Sequence, residues 1–283
     1  MSDSNALVLG GGGVTGVAWE IGVLLGLQTR GIDLTTAGLM VGTSAGSVVA
    51  AQIAGGTALS ELYAKQLEPV KKRPHRTLSK VTLLRYGWIL WRAKDAADLG
   101  ARMGRLALAA KTQTEAERRP VFEALLGAGR GWPETDLRIT AINANTGALR
   151  VFDKSTGASL VDAVCASTAV PGVWPPVTIQ GERYIDGGMH SGTHANLAEG
   201  RKHVVIIAPL SFGTRVMTSP VVHAERLRAA GARVALVMPD EAAKKSIGRD
   251  VLDPQARAQS ARAGNEQAAR IFDAVAAAWR AAG

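Results

Sequence analysis

The chain holds a single cysteine, Cys165, in 283 residues. One thiol excludes an internal disulfide framework and any multi-cysteine zinc or iron–sulfur site, and a reduced, cytoplasmic setting is the simple expectation. Cys165 itself reads as a small core residue. Long apolar runs are also missing. The longest apolar stretch near the start, Leu7 to Leu27, is broken by Glu20 and by a cluster of glycines, with no basic region before it; it reads as neither a signal peptide nor a membrane span. There is no internal repeat and no Ser/Gly linker long enough to separate domains. Acid is in deficit: 24 Asp and Glu against 33 Lys and Arg give a formal net charge of +9, which points to anionic partners, either nucleic acid or the headgroups of a lipid surface. With 47% hydrophobic and 20% charged residues, the chain is neither disordered nor collagen-like and can bury a core.

Short aliphatic runs at Ala6–Leu9, Leu39–Val41, Leu137–Ile142, Val204–Ala208 and Val234–Val237 read as strands. Between them, helical patterns fall near 16–29, 45–54, 78–92, 114–126, 160–168, 221–230 and 254–281. Ser159 followed by Asp162 is a capping box, and Asp253–Pro254 places an acceptor and a fixed φ at the head of the last helix. This β-α-β-α order predicts an α/β fold, a mostly parallel sheet covered by helices on both faces. We expect one domain over 1–283, with a helical insertion at about 60–130.

Three glycine-marked sites stand out. In the first, the strand Leu7-Val8-Leu9 runs into Gly10-Gly11-Gly12-Gly13-Val14-Thr15-Gly16. Consecutive amides in such a turn, beside a helix N-terminus, suit a phosphate, a carboxylate or an oxyanion. Gly11, Gly13 and Gly16 also satisfy G-x-G-x-x-G, so a dinucleotide-binding oxidoreductase is a competitor; its acidic residue belongs at the end of a second strand, and the candidate Asp33 precedes that strand. The second site, Gly42-Thr43-Ser44-Ala45-Gly46-Ser47, fits the G-x-S-x-G nucleophile elbow. A serine on a tight strand-to-helix turn exposes its Oγ, and the next amide, on Ala45, can donate to a developing oxyanion. A helix N-cap serine is the plainer reading, and Ser47 reads as packing or capping. The third, Tyr184-Ile185-Asp186-Gly187-Gly188, is by itself a turn signal.

Taken in order, Gly10–Gly16, Gly42–Gly46 and Asp186-Gly187-Gly188 resemble the signature of the patatin-like phospholipases. The stretch Ala166 to Pro176 is similar to the small-residue helix and proline turn that precede that family's aspartate. The resemblance spans residues 7–188 and is loose beyond 209. It implies a three-layer α/β/α sandwich that hydrolyses acyl esters of lipids through a Ser–Asp dyad, without a catalytic histidine, metal or cofactor. Ser44 would be the nucleophile and Asp186 the base. Gly11, Gly12 and Gly13 would supply oxyanion-hole amides, joined by Ala45 from the elbow geometry. Thr15 departs from the pattern, because the family usually has Arg or Lys there; a catalytically silent membrane-binding relative is therefore a further reading.

Of five histidines, His190, His194, His203 and His223 allow a Ser-Asp-His order with Ser44 and Asp186, as in α/β-hydrolases. The elbow lies only 44 residues in, which leaves little room for the strands that normally precede it there. His190 and His194 sit just past Asp186, where either could line the cleft without acting as base; an ordinary surface position is the plainer expectation for these two. Residues 65–94 carry nine Lys or Arg (Lys65, Lys71, Lys72, Arg73, Arg76, Lys80, Arg85, Arg92, Lys94) and one acid, Glu68, nearly the whole basic excess. On a helical wheel, Leu83, Tyr86 and Leu90 share one side, with Arg85, Trp88 and Arg92 on the other. That second face suits peripheral docking on an anionic membrane, or else Trp88 packs under an arginine stem in a solvated helix. No nucleic-acid motif is present, and no nucleic-acid partner is expected.

Overall fold

A computed structural model describes residues 4–70 and 77–280. Lys71, Lys72, Arg73, Arg76 and position 281, all named above, lie outside the described residues, as does the fifth histidine, His75.

The sheet has eight strands. Five are parallel, in the order β8 (Arg233–Val237), β7 (His203–Ile207), β1 (Asn5–Leu9), β2 (Leu39–Thr43) and β3 (Asp136–Asn143). Parallel strands covered on both faces read as near-continuous apolar runs, which is why these five were visible in the sequence. Along β1, Leu7 and Leu9 face one layer while Ala6 and Val8 face the other. The first layer contains α1 (Gly13–Gln28), α2 (Ala45–Ala54), α7 (Leu160–Ser167) and α10 (Arg257–Trp279); the second contains α8 (Pro220–Ala229). The architecture is the expected three-layer α/β/α sandwich.

Three antiparallel strands at the β3 edge were not assigned in full. They are β4 (Leu149–Phe152), β5 (Val177–Ile179) and β6 (Glu182–Asp186). β5 and β6 form a hairpin whose two turn residues, Gln180 and Gly181, both have positive φ (52° and 82°), as a two-residue turn between twisted strands requires. Its role is positional, since β6 pairs β3 and ends on Asp186, one strand away from β2.

Between α2 and β3 stand α3 (Leu59–Leu67), α4 (Lys80–Arg92), α5 (Ala96–Ala109) and α6 (Glu115–Leu126); α9 (Glu241–Ile247) precedes α10. α3, α5 and α9 were missed, and α10 begins three residues later than expected because residues 254–256 form a 3₁₀ turn capped by Asp253. The wheel reading of α4 needs correction. Its buried face is Tyr86, Ile89 and Leu90, packed with Leu99 and Met103 of α5 and with Ile142 and Ile185 of the sheet. Leu83 is exposed, and beside Arg85, Trp88 and Arg92 the outer face carries Val81, Leu84 and Trp91.

Candidate active site

β2 delivers Ser44 onto a strained elbow. Its φ of 51° and ψ of −118° lie where L-residues with a Cβ are seldom found, and the turn closes only because its neighbours lack side chains. A Cβ on Gly42 would lie 2.6 Å from the Cα of Ser47, and one on Gly46 would lie 2.1 Å from the carbonyl oxygen of Leu9. Ser47 Oγ donates to the Ser44 carbonyl at 2.6 Å, so Ser47 braces the turn.

Across the sheet end, Ser44 Oγ donates to Asp186 Oδ2 at 2.7 Å, and the other carboxylate oxygen accepts the Gly188 amide at 2.7 Å. Both residues are buried, Ser44 8% and Asp186 2% exposed. Burial pushes the Asp186 carboxyl up to about 6, against the lowering effects of the Ser44 hydroxyl, the Gly188 amide and the Arg118 charge.

The C-terminal turn of α7 holds both residues by the backbone. Ser167 Oγ accepts the Ser44 amide at 2.9 Å, and the Ala169 carbonyl accepts the Asp186 amide at 3.1 Å. That turn is tied down by Arg118 of α6, a buried arginine that sequence reading did not single out. Its guanidinium donates to the carbonyls of Cys165 (2.9 Å) and Thr168 (2.8 Å) and to Thr168 Oγ1 (2.8 Å), and it stacks on Phe122 and Trp174. A cation at a helix C-terminus meets the negative end of the helix dipole.

The three glycine amides expected to meet an oxyanion differ in what they bond. Gly11 is a correction: its amide donates to the Gly192 carbonyl at 2.8 Å and is spent on holding the loop. The amides of Gly12, Gly13 and Ala45 take no acceptor among the described residues. Gly13, at φ 61°, turns the loop and is also the first residue of α1. Thr15 sends its amide (3.1 Å) and Oγ1 (3.3 Å) to the Val251 carbonyl, anchoring the loop to the C-terminal region. Asp33 serves as a cap, its Oδ1 accepting from the amide and hydroxyl of Thr35. Gly187 approaches Thr140 too closely for any Cβ.

A cavity of about 560 Å³ opens over Ser44 and Ala45, walled mainly by apolar side chains, among them Val17, Val48, Phe122, Leu125 and Trp174, with Arg118 as a cation in the wall. The histidines stand apart. His194 is buried, contrary to the surface position expected of it, and His203 and His223 are buried too. His194 Nε2 lies 2.9 Å from the Gly187 carbonyl, His223 Nε2 3.1 Å from Ser191 Oγ, and His203 Nδ1 2.8 Å from the Ala278 carbonyl. Burial lowers His194 and His223 to about 4. No histidine bonds to Ser44 or Asp186 among the described residues. Nor, among those residues, is any group of three or more His, Cys, Asp or Glu placed to hold a metal ion, and no helix is long and apolar enough to cross a membrane.

Comparison with known proteins gives the class. The family model described as patatin-like phospholipase matches residues 7–198. The chain belongs to that family, a family of lipid hydrolases. Solved structures similar to it include VipD from Legionella pneumophila, at 14% identity and a TM-score of 0.48, with 96% of this chain and 67% of that one covered. Another is the complex of full-length SpcU with full-length ExoU from the type III secretion system of Pseudomonas aeruginosa, at 18% identity and a TM-score of 0.39. There 94% of this chain is covered but 53% of the other, so this chain spans about half its length. No curated protein matches.

Proposed function

We propose that the chain hydrolyses acyl esters of lipids, as a phospholipase A or lysophospholipase, through a Ser44–Asp186 dyad and an acyl-enzyme intermediate. The observation that carries this reading is the 2.7 Å hydrogen bond from Ser44 Oγ to Asp186 Oδ2 at the floor of an apolar cavity. A serine hydroxyl is a weak nucleophile until a base takes its proton. A carboxyl raised to about 6 is still mostly ionised at neutral pH and is a far stronger base than a solvated aspartate. Asp186 accepts the Ser44 proton as Oγ attacks the ester carbonyl; the oxyanion is met by the amides of Gly12, Gly13 and Ala45; the proton then passes to the leaving alcohol. Water repeats the sequence on the acyl-enzyme, releasing the fatty acid. The apolar cavity suits an acyl chain, and α6, within the stretch 60–130 that we read as a cap, supplies part of its wall.

A fluorophosphonate probe tests the nucleophile. Labelling and p-nitrophenyl ester hydrolysis are expected in the native chain and absent in Ser44→Ala, with a rate loss of at least about 10³-fold. Separate substitution of each histidine checks the base: a fall to the Ser44→Ala level for any of them removes the dyad.

A further inference from the structure

α4 is apolar on two opposite faces. Its inner face, Tyr86, Ile89 and Leu90, is packed against α5 and the sheet. On the far side Val81, Leu84, Trp88 and Trp91 recur at i, i+3, i+7 and i+10, one continuous stripe, and they are exposed: Leu84 and Trp91 75%, Trp88 56%. Two neighbouring tryptophans in water are a large exposed apolar area for a folded chain, and such patches mark contact surfaces.

The charges around the stripe decide what it contacts. Lys80 borders it on one side, Arg85 and Arg92 on the other, with the Arg92 guanidinium 5.4 Å from the Trp88 ring centre. Behind Trp88 a groove of about 750 Å³ runs between α4 and α5, lined by Arg85, Arg102, Arg105 and Lys111. Arg102 is paired with Asp98; Arg85, Arg105 and Lys111 have no acidic partner among the described residues. A second copy of the chain would set these like charges against one another, and a 13-residue helix is too short for a coiled coil. An anionic bilayer satisfies both features. Tryptophan is favoured at the lipid–water boundary, and unpaired arginine and lysine attract phosphate headgroups.

We infer that the outer face of α4, with the cationic groove beside it, docks the protein on the surface of an anionic phospholipid bilayer. This deepens the hydrolase reading and rests on it for the purpose of docking. Position supports it, because the groove and the cavity over Ser44 share a wall: Lys111 and Gly172 line the groove, Gln113, Val170 and Trp174 the cavity. Tyr86 donates from the inner face of α4 to the Pro171 carbonyl in that wall at 2.7 Å. A bilayer met by α4 lies beside the mouth through which a lipid ester reaches Ser44.

Co-sedimentation with phosphatidylcholine vesicles, with and without phosphatidylglycerol, tests the docking. The native chain is expected to bind the anionic vesicles and to release as salt is raised. Arg85→Gln with Arg105→Gln should weaken that binding about fivefold per charge removed, and Trp88→Ser with Trp91→Ser by at least about tenfold. The Ser44→Ala chain, inert toward p-nitrophenyl ester, should sediment like the native chain, so docking and hydrolysis are read separately. Turnover of the ester without vesicle binding overturns the docking and leaves the hydrolase reading in place. Equal binding to neutral vesicles, binding that both double variants retain, or a dimer in solution that Trp91→Ser dissolves also overturns it.

Discussion

At Ser44 a positive φ and a buried hydroxyl are held in place so that one oxygen meets one carboxylate, and the cost of that carboxylate falls on Asp186. With a folded pKa of about 6 against an ordinary value of 3.8, Asp186 binds its proton more tightly folded than unfolded. Its contribution to stability is therefore fully present below about pH 4 and lost as pH rises through about 6. Asp186→Asn, which carries no charge, should be more stable than the native chain at about pH 8 by up to roughly 3 kcal/mol, an advantage that vanishes near pH 3.5. Denaturant unfolding at the two pH values measures it, and equal stability at both would mean that the carboxylate is not desolvated. The same variant should lose hydrolysis of p-nitrophenyl ester. In the native chain the proposed dyad predicts a rate that climbs with pH through a midpoint near 6, since there only ionised Asp186 takes the serine proton.

The element that aligns the pair is the C-terminal turn of α7, with Ser167 on the Ser44 amide and Ala169 on the Asp186 amide. Arg118 is its clamp. Arg118→Met would remove the guanidinium bonds to the Cys165 and Thr168 carbonyls, which keep only Thr168 Oγ1 and the Val170 amide as donors, at a cost of roughly 1.5–3 kcal/mol, the worth of a hydrogen bond to a charged group. A merely structural role would stop there. Because the Arg118 charge also lowers the Asp186 pKa, the acid limb of the rate profile should move above 6 in Arg118→Met and return toward it in Arg118→Lys. A profile that stays put in both variants would confine Arg118 to holding the turn. Little of this was legible in the sequence. Gly42, Gly46 and Gly187 announced Ser44 and Asp186 because each sits where a Cβ would strike backbone or side chain, a demand only glycine meets. Arg118, on a helix of ordinary composition, has nothing local to mark it, and its partners lie 47 and 50 positions away. The Gly11 amide was misassigned for the same reason, since its acceptor, Gly192, is remote in sequence.

Over the whole molecule, legibility followed burial. Five strands covered on both faces were read from their aliphatic runs, whereas the short edge strands β4 and β5 have too few residues to show a period. On α4 the wheel could not say which of two apolar faces met the core. The family match ends at residue 198, yet the layer it describes is completed by α10, which lies along α1 with backbone nearly touching backbone. A Cβ on Gly264 would come within 2.3 Å of the Trp19 carbonyl oxygen, and one on Gly22 within 2.1 Å of that of Ala261. Trp19 Nε1 donates to Gln267 Oε1 across the seam at 3.1 Å. Since α1 begins in the glycine loop, the seam fixes the height of the Gly12 and Gly13 amides above Ser44. Gly264→Val should force the two helices apart at a cost of roughly 1–3 kcal/mol, lowering Tm by about 2–4 °C for each kcal/mol. It should also slow p-nitrophenyl ester hydrolysis as the Gly12 and Gly13 amides, the proposed oxyanion donors, shift. Gly87→Ala is the matched control: that glycine lies within α4, at a φ an L-residue adopts freely, and its Cβ would meet nothing within 4 Å. The added methyl there should raise stability by about 0.5–1 kcal/mol. If thermal unfolding finds the two variants alike, the helices are not in backbone contact and the C-terminal helix does not set the loop.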